Sequence, residues 1–202
     1  MIEVEKKFIL TQDEEERLLA GATFLEQKTN TDAYYDNEQY AVTLADCWLR
    51  NRNGSFELKV PLSKDNGSQG VNVYHELTEE ADIREALRLP YDTSDLAHDI
   101  EAAGYRVFVQ PTSSRRSYEK DGYHIDVDTV AYEGSDFTYA VAEIELLVQD
   151  ESDAPKATEQ IVTYAKSLGL QTDGVILGKV AAFLRARSPE HYKALKISNI
   201  LR

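Results

Sequence analysis

Charged and apolar residues alternate in several short stretches of the chain, and this alternation constrains the possible fold more than any other feature. In the first stretch, Glu3, Glu5 and Lys7 share one parity, while the apolar Ile2 and Val4 share the other. Side chains of a β-strand point alternately to its two faces, so this stretch is predicted to be a strand with one charged face. Four further charged faces follow along the chain: Trp48, Arg50 and Arg52; Glu57 and Lys59; Asp126 and Asp128; and Glu143 and Glu145.

Turn signals indicate how these strands are joined. The dipeptides Asn53-Gly54 and Asp121-Gly122 are typical of two-residue hairpin loops, and hairpins pair their strands antiparallel. Strands are predicted at residues 1–10, 29–35, 47–51, 55–60, 71–77, 105–110, 115–119, 123–129 and 139–149. Closing about eight antiparallel strands into a barrel removes exposed sheet edges. We therefore expect an α+β chain built on a closed eight-stranded antiparallel β-barrel.

Helices are predicted between and after the strands. They run from the N-cap Thr11 to about Ala20 and over residues 78–89, 93–103, 155–168, 174–187 and 189–197, with a polar loop at residues 65–70. Two of them carry apolar stripes, Ile161, Tyr164, Ala165 and Leu168 in one and Val180, Phe183 and Leu184 in the other. The apolar strand faces can cover these stripes. The helices are then packed outside the barrel, and the charged strand faces line its interior.

Composition sets outer bounds on the class of protein. The 202 residues suit one domain, and 42% hydrophobic with 29% charged residues indicates a globular chain. A net charge of −14 repels nucleic acid and anionic membranes, so neither is expected as a partner. There is no apolar run of about 18 residues, no signal-peptide stretch, and a single cysteine, Cys47. We expect a cytoplasmic monomer.

A charged barrel interior is costly unless its charges are paired or serve a ligand. Carboxylates are the hard oxygen ligands that Mg²⁺ or Mn²⁺ prefers, and they occur at Glu3, Glu5, Asp126, Glu143 and Glu145. Phosphate-binding groups occur at Lys7, Arg50, Arg52 and Lys59. One Glu-x-Glu strand is usually only a solvated face. Several charged strands in one small domain indicate a site for a metal-bound polyphosphate.

The same residues resemble a known family. The segment Glu3-Val4-Glu5-Lys6-Lys7 fits the ExExK signature of the CYTH superfamily, the triphosphate tunnel metalloenzymes. Residues 48–52 and 56–59 resemble that family's second and third tunnel strands. Features similar to the thiamine triphosphatase branch are Tyr34-Tyr35-Asp36, Glu76-Leu77-Thr78, Tyr139-Ala140-Val141 with Glu143-Ile144-Glu145, and Lys179. The resemblance covers nearly the whole chain and implies a single CYTH domain over residues 1–202.

The resemblance also implies roles for individual residues. The metal ligands would be Glu3, Glu5, Asp126, Glu143 and Glu145, with Mg²⁺ as the expected ion and Mn²⁺ as an alternative. The triphosphate would be held by Lys7, Arg50, Arg52, Lys59, Arg116 and Lys179, with Glu143 also at the substrate. Arg115 and Arg116 are adjacent, so one of them faces inward, and the family spacing favours Arg116. The implied reaction is attack of water on the terminal phosphorus of thiamine triphosphate, which leaves the diphosphate.

Three side chains have more specific expected roles. Lys59 is a candidate general base, because desolvation or neighbouring cations lower the pKa of a lysine. Tyr34 is expected to orient its amine, or else to pack at the barrel end. Trp48 shares the parity of Arg50 and can stack on an aromatic or cationic substrate group, the alternative being a core tryptophan. The four histidines show no metal-ligand spacing, and His124 shares the face of Asp126 by parity alone.

Other functions fit the same pattern. An inorganic triphosphatase or nucleoside triphosphatase would use the same tunnel, and a class IV adenylate cyclase is a further enzymatic alternative. A non-catalytic polyphosphate-binding module is the fourth. Intact acids in both Glu-x-Glu pairs count against that last reading, because binding of a polyanion alone would favour bases alone.

Overall fold

The computed structural model describes residues 2–62, 70–89, 93 and 95–201. Within this described part, nine strands are formed: β1 (Ile2–Phe8), β2 (Thr23–Asp36), β3 (Trp48–Arg52), β4 (Ser55–Pro61), β5 (Val71–Leu77), β6 (Arg106–Val109), β7 (Pro111–Lys120), β8 (Tyr123–Tyr132) and β9 (Thr138–Val148). The helices are α1 (Gln12–Leu19), α2 (Glu80–Leu87), α3 (Leu96–Ala102), α4 (Ala154–Ser167), α5 (Lys179–Arg187) and α6 (Pro189–Ile197). The predicted loop at residues 65–70, apart from Gly70, and position 94 of a predicted helix lie outside the described residues.

Eight of the strands close into an antiparallel barrel, as predicted. Their order is β3-β4-β5-β1-β9-β8-β7-β2, and pairing of β2 with β3 completes the ring. The short strand β6 pairs with the end of β2 as an addition to the barrel. β2 is longer than predicted, because its first half pairs with β7 over Thr23–Thr31, where polar residues conceal the strand pattern.

The hydrophobic core lies outside the barrel, between the strands and the helices. Val4, Ile125 and Ile144 are fully buried in one cluster with Ile161 and Ala165 of α4. A second cluster joins β8 to α5 and α6, and a third joins β3 and β4 to α2 and α3. The apolar strand faces therefore meet the helices, and the opposite faces line the interior, as the sequence predicts.

The start of α5 lines one side of the tunnel. α5 begins at Lys179, five residues later than predicted, because the preceding residues 175–178 run along the tunnel. The hydroxyl of Tyr139 donates to the carbonyl of Leu177 at 2.7 Å, and that of Tyr132 to the carbonyl of Lys179 at 2.7 Å. These bonds fix the start of α5 against the barrel. Of the helices in the described ranges, none has the length and apolar character needed to cross a membrane.

Candidate active site

The barrel interior encloses a cavity of about 490 Å³ that is lined by the inward faces of the strands and by the start of α5. Cavities of this size are typical of small-molecule sites. The strand register brings the charged positions into rows across neighbouring strands. Glu5 lies opposite Glu145, and Glu145 lies opposite His124 on its other side. In the next row Glu143 lies between Lys7 and Asp126.

One side of the cavity, here named the acidic wall, is formed by β1, β9 and β8. Its carboxylates are Glu3, Glu5, Asp126, Asp128, Glu143 and Glu145. Two groups on this wall have ligand atoms within 4.8 Å of one another, Glu3 with Glu5 and Glu145, and His124 with Asp126 and Glu145. Either group has the donor atoms to hold a metal ion.

Three bases, from β1, β4 and β7, balance most of these carboxylates. Lys59 contacts Glu3 and lies 3.2 Å from Glu5. Lys7 also contacts Glu5, and its Nζ lies 3.3 Å from Glu143.

Arg115, on β7, contacts the other acids of this wall. Its guanidinium contacts Asp126, lies 2.7 Å from Asp128 and lies 3.1 Å from Glu143. The acidic wall is therefore a network of buried ion pairs, with Glu145 left outside it.

The opposite side, here named the basic wall, is formed by β2, β3 and the start of α5. It carries Arg50, Arg52 and Lys179 together with Asp32 and Tyr34. Asp32 is fully buried; it accepts two hydrogen bonds from Arg52, at 2.7 and 3.1 Å, and its other contact is Lys179 Nζ at 2.5 Å. β4 and β5 separate the two walls on one side, and β7 separates them on the other.

The pKa shifts follow from this division of charge. Burial raises the pKa of Glu145 well above its usual range, and the nearby carboxylates of Glu3 and Glu143 raise it further. Burial acts in the same direction on Glu143, but Lys7 and Arg115 outweigh it and hold the pKa low. Glu145 is thus the carboxylate of this wall that most resists ionisation without a cation beside it.

The prediction that Arg116 faces the tunnel was wrong. Its guanidinium lies outside the barrel, 2.7 Å from Glu15 of α1, whereas Arg115 points inward. Adjacent strand residues face opposite sides of a sheet, so only one of Arg115 and Arg116 can face the tunnel. The tight turn at Asp121-Gly122 pairs residues whose numbers sum to a constant, which places Arg115 opposite Asp128. Counting from this turn in the sequence therefore identifies Arg115 as the arginine that shares the inward face of Asp126 and Asp128.

The expected contact between Tyr34 and the Lys59 amine is also absent from the described residues. The Tyr34 hydroxyl instead accepts a hydrogen bond from Arg50 at 3.4 Å. The tyrosine beside Lys59 is Tyr74 of β5, whose ring centre lies 5.7 Å from the amine. Burial lowers the pKa of Lys59, but Glu5 and Glu3 raise it well above its ordinary value, opposite to the predicted direction.

Trp48 lines the cavity and also packs against residues of the chain's end. Its indole N–H lies 3.3 Å from Asp46 Oδ1 and 3.3 Å from the Tyr74 hydroxyl, so the ring orientation is fixed from two sides. Ile200 and Leu201 lie in the cluster that Trp48 joins, and they line the same cavity. The ring is half-buried and lines the tunnel, and its stacking on a substrate group stays a prediction.

A closed antiparallel barrel with an acidic wall facing a basic wall defines a charged-tunnel protein. The chain belongs to the CYTH domain family, which matches residues 1–176. It is 32% identical to the thiamine-triphosphatases of Homo sapiens and Macaca fascicularis, over 96% of this chain and 89% of each relative. Among solved structures it resembles the PH1819 protein from Pyrococcus horikoshii OT3, with a TM-score of 0.62 and 21% identity over 92% of this chain and 99% of that one. The family predicted from the sequence motifs is confirmed.

Proposed function

We propose that this protein is a metal-dependent triphosphate hydrolase that converts thiamine triphosphate to thiamine diphosphate and phosphate. The observation that carries the proposal is the pair of opposed walls within one closed tunnel, in a chain 32% identical to thiamine-triphosphatases. A triphosphate chain requires cationic partners along its length, and a metal ion bound with it would require carboxylate ligands. The tunnel supplies both within one cavity.

The basic wall binds the phosphate groups in this proposal. Arg50 and Arg52 offer planar, bidentate donors, and Lys179 adds a point charge from α5. In the structure these groups bond to carboxylates: Arg52 and Lys179 to Asp32, and Arg50 to Glu57 and Glu76. Such contacts hold the donors in place before substrate arrives, and pre-positioned donors stabilise charge that develops in the transition state.

The acidic wall has the ligand chemistry for the metal. Glu3, Glu5, Asp126, Glu143 and Glu145 are buried or half-buried oxygen donors, and the repulsion at Glu145 would be relieved by a cation. We assign Mg²⁺ as the ion, with Mn²⁺ as the alternative, on the preference of both for carboxylates. When bound, such an ion neutralises charge on the phosphate oxygens.

Lys59 is assigned to charge stabilisation and not to proton abstraction. Its amine contacts Glu3 and lies 3.2 Å from Glu5, and both carboxylates raise its pKa; a protonated amine can bind a phosphate oxygen but cannot accept a proton from water. Lys59→Arg keeps the charge and removes any base function. We expect this variant to retain more activity than Lys59→Ala, and equal losses in both would instead support the general-base role.

The part of the chain beyond the matched family residues belongs to the same functional unit in this proposal. α5 brings Lys179 to the basic wall, and Ile200 and Leu201 lie beside Trp48 at the cavity. We therefore treat residues 1–202 as one CYTH domain. We further propose a monomer that acts in the cytoplasm on a small-molecule substrate and not on nucleic acid.

The test is a panel of triphosphates assayed with Mg²⁺ and with Mn²⁺. Thiamine triphosphate should be hydrolysed with a higher kcat/KM than inorganic triphosphate or ATP, with phosphate and the diphosphate as products. Trp48→Ala should raise the KM for thiamine triphosphate about tenfold and leave that for inorganic triphosphate nearly unchanged, because only the former has rings to stack. Preference for inorganic triphosphate or ATP, or formation of cyclic AMP, would support the other tunnel enzymes. A protein that releases no phosphate from any of them would be a binding module.

A further inference from the structure

His124 lies at the edge of the acidic wall, three residues after Asp121 at the turn that begins β8. Its side chain lines the cavity and sits directly opposite Glu145 in the pairing of β8 with β9. Its Nε2 lies 3.1 Å from Asp126 Oδ1. Two ligand atoms that are each about 2.1 Å from one ion, at right angles, lie about 3 Å apart, which matches this separation.

Glu145 provides a second, independent observation. It is only 7% exposed, and its carboxylate forms no hydrogen bond or ion pair with the described residues. The carboxylates of Glu3, Glu5, Glu143 and Asp126 raise its pKa, and His124 is the nitrogen donor that lies opposite it. A buried, unpaired carboxylate among other acids is costly unless a cation lies beside it. The ligand atoms of Glu145, Asp126 and His124 all lie within 4.8 Å of one another.

We propose that His124, Asp126 and Glu145 form a cation site in which the imidazole is a direct ligand and selects transition-metal ions such as Mn²⁺ over Mg²⁺. The proposal rests on the proposed function in one respect, since Asp126 and Glu145 also serve there as metal ligands. Mg²⁺ prefers oxygen donors and binds imidazole poorly, whereas a mixed nitrogen and oxygen set suits first-row transition metals. Asp126 is fixed by a 2.6 Å hydrogen bond from the Ser117 hydroxyl, so one ligand is already oriented.

His124 is also accessible to a solution ion. Its side chain is 42% exposed, compared with 2% for that of Asp126, so it faces the more open part of the cavity. The competing explanation is a simple hydrogen bond from an imidazole N–H to Asp126, which would position the carboxylate and involve no metal. The two explanations differ in whether the nitrogen contacts the ion, and that contact can be measured directly.

The experiment is pulsed electron paramagnetic resonance of the full-length protein loaded with Mn²⁺ in the absence of substrate. We expect ¹⁴N modulation from a bound imidazole in the wild type and its loss in His124→Gln. His75→Gln is the matched control, because His75 is exposed on the outer face of the barrel and should leave the signal unchanged. Absence of nitrogen coupling in the wild type, or its persistence in His124→Gln, would overturn the proposal.

Titration calorimetry gives a second readout. Loss of residues that merely support a ligand typically weakens metal binding about 10–100-fold, so His124→Gln should weaken Mn²⁺ binding at least about tenfold. Mg²⁺ binding should change much less, and equal losses for both ions would assign His124 to positioning Asp126. Circular dichroism of the variant checks its fold. Neither measurement uses a substrate, so an inactive protein that shows nitrogen coupling would disprove the proposed hydrolysis and leave this site standing.

Discussion

On the basic wall, Asp32 lies between Arg52 and Lys179 and satisfies both, whereas on the acidic wall Glu145 faces other carboxylates within the described residues. The charges of Arg52 and Lys179 are already paired with Asp32, so a polyanion that binds them has to replace the Asp32 carboxylate. The acidic wall is short of positive charge even with Lys7, Lys59 and Arg115 in place. The basic wall is therefore organised before ligand binding, while the acidic wall has carboxylates that could hold a cation.

The largest expected effect is the loss of unfolding free energy on substitution of Asp32. Asp32→Asn removes the shared partner of Arg52 and Lys179, which are themselves largely buried. Breaking a buried ion pair on one side typically costs about 3–5 kcal/mol of unfolding free energy. Urea denaturation measures this loss.

The control for Asp32 is Glu57→Gln, in which Arg50 keeps its second contact with Glu76. We expect a clearly smaller loss of stability in that variant. Saturating inorganic triphosphate should restore more stability to Asp32→Asn than it adds to the wild type, because it supplies the missing negative charge. Equal stabilisation of both proteins would mean that the basic wall does not exchange Asp32 for a phosphate.

On the acidic wall, loss of a carboxylate is expected to increase stability in the absence of metal, whereas loss of Asp32 decreases it. Glu145→Gln removes a proposed metal ligand and should lower kcat/KM about 100-fold, comparable to loss of one transition-state donor elsewhere. Without metal it should stabilise the fold. The pKa of Glu145 is raised above its ordinary value of 4.5, so the folded state binds more protons than the unfolded chain. The stability of the wild type then falls as pH rises through that window, and the variant lacks this loss.

Thermal unfolding in EDTA tests whether Glu145→Gln stabilises the fold in the absence of metal. The advantage of Glu145→Gln over the wild type should be small at pH 5 and grow toward pH 9. For a chain of this length each kcal/mol corresponds to about 2–4 °C in Tm. A variant that is destabilised equally at both pH values would show that Glu145 has a structural partner and that the contrast between the walls is false.

The neighbouring pair Arg115 and Arg116 tests which face of β7 belongs to the tunnel. Arg115→Ala removes the partner of Asp126, Asp128 and Glu143 and should lower kcat/KM about tenfold or more. Arg116→Ala breaks a half-exposed pair with Glu15 and should cost less than about 1 kcal/mol of stability, with kinetics unchanged. Steady-state kinetics of both variants decide between them. A kinetic defect in Arg116→Ala alone would restore the assignment made from the sequence.

These residues also show how far sequence reasoning extends. Strand parity correctly predicted the barrel and the inward faces of β1, β3 and β9. Side chains alternate between the two faces of a strand whichever residues of the neighbouring strand they lie opposite. The choice between Arg115 and Arg116 depends on the register of one hairpin, which family spacing does not fix but counting from the turn at Asp121-Gly122 does. The partners of Lys59 could not be predicted, since β1 and β4 lie far apart in sequence and are brought together by β5, which pairs with both.

The smallest expected effect lies outside both walls, where α6 meets the segment before β3. His191 is buried, stacks on Tyr40 at 3.8 Å and has its Nε2 2.7 Å from the Thr43 hydroxyl. Burial lowers its pKa below the ordinary 6.5, against a weaker opposing effect of Asp36. The unfolded chain therefore binds more protons near that pH, and stability is present above pH 6.5 and lost as the pH falls below it.

His191→Gln keeps a polar side chain at this position and removes the titration. The unfolding free energy of the wild type should therefore fall between pH 7 and pH 5, because the buried imidazole resists the proton that the unfolded chain binds. The variant should be somewhat less stable at pH 7 but should lose less on acidification, as measured by urea denaturation at both pH values. An identical pH dependence in the two proteins would mean that His191 does not cause the loss of stability in acid. The loss would then arise from protonation of the carboxylates on the two walls of the tunnel.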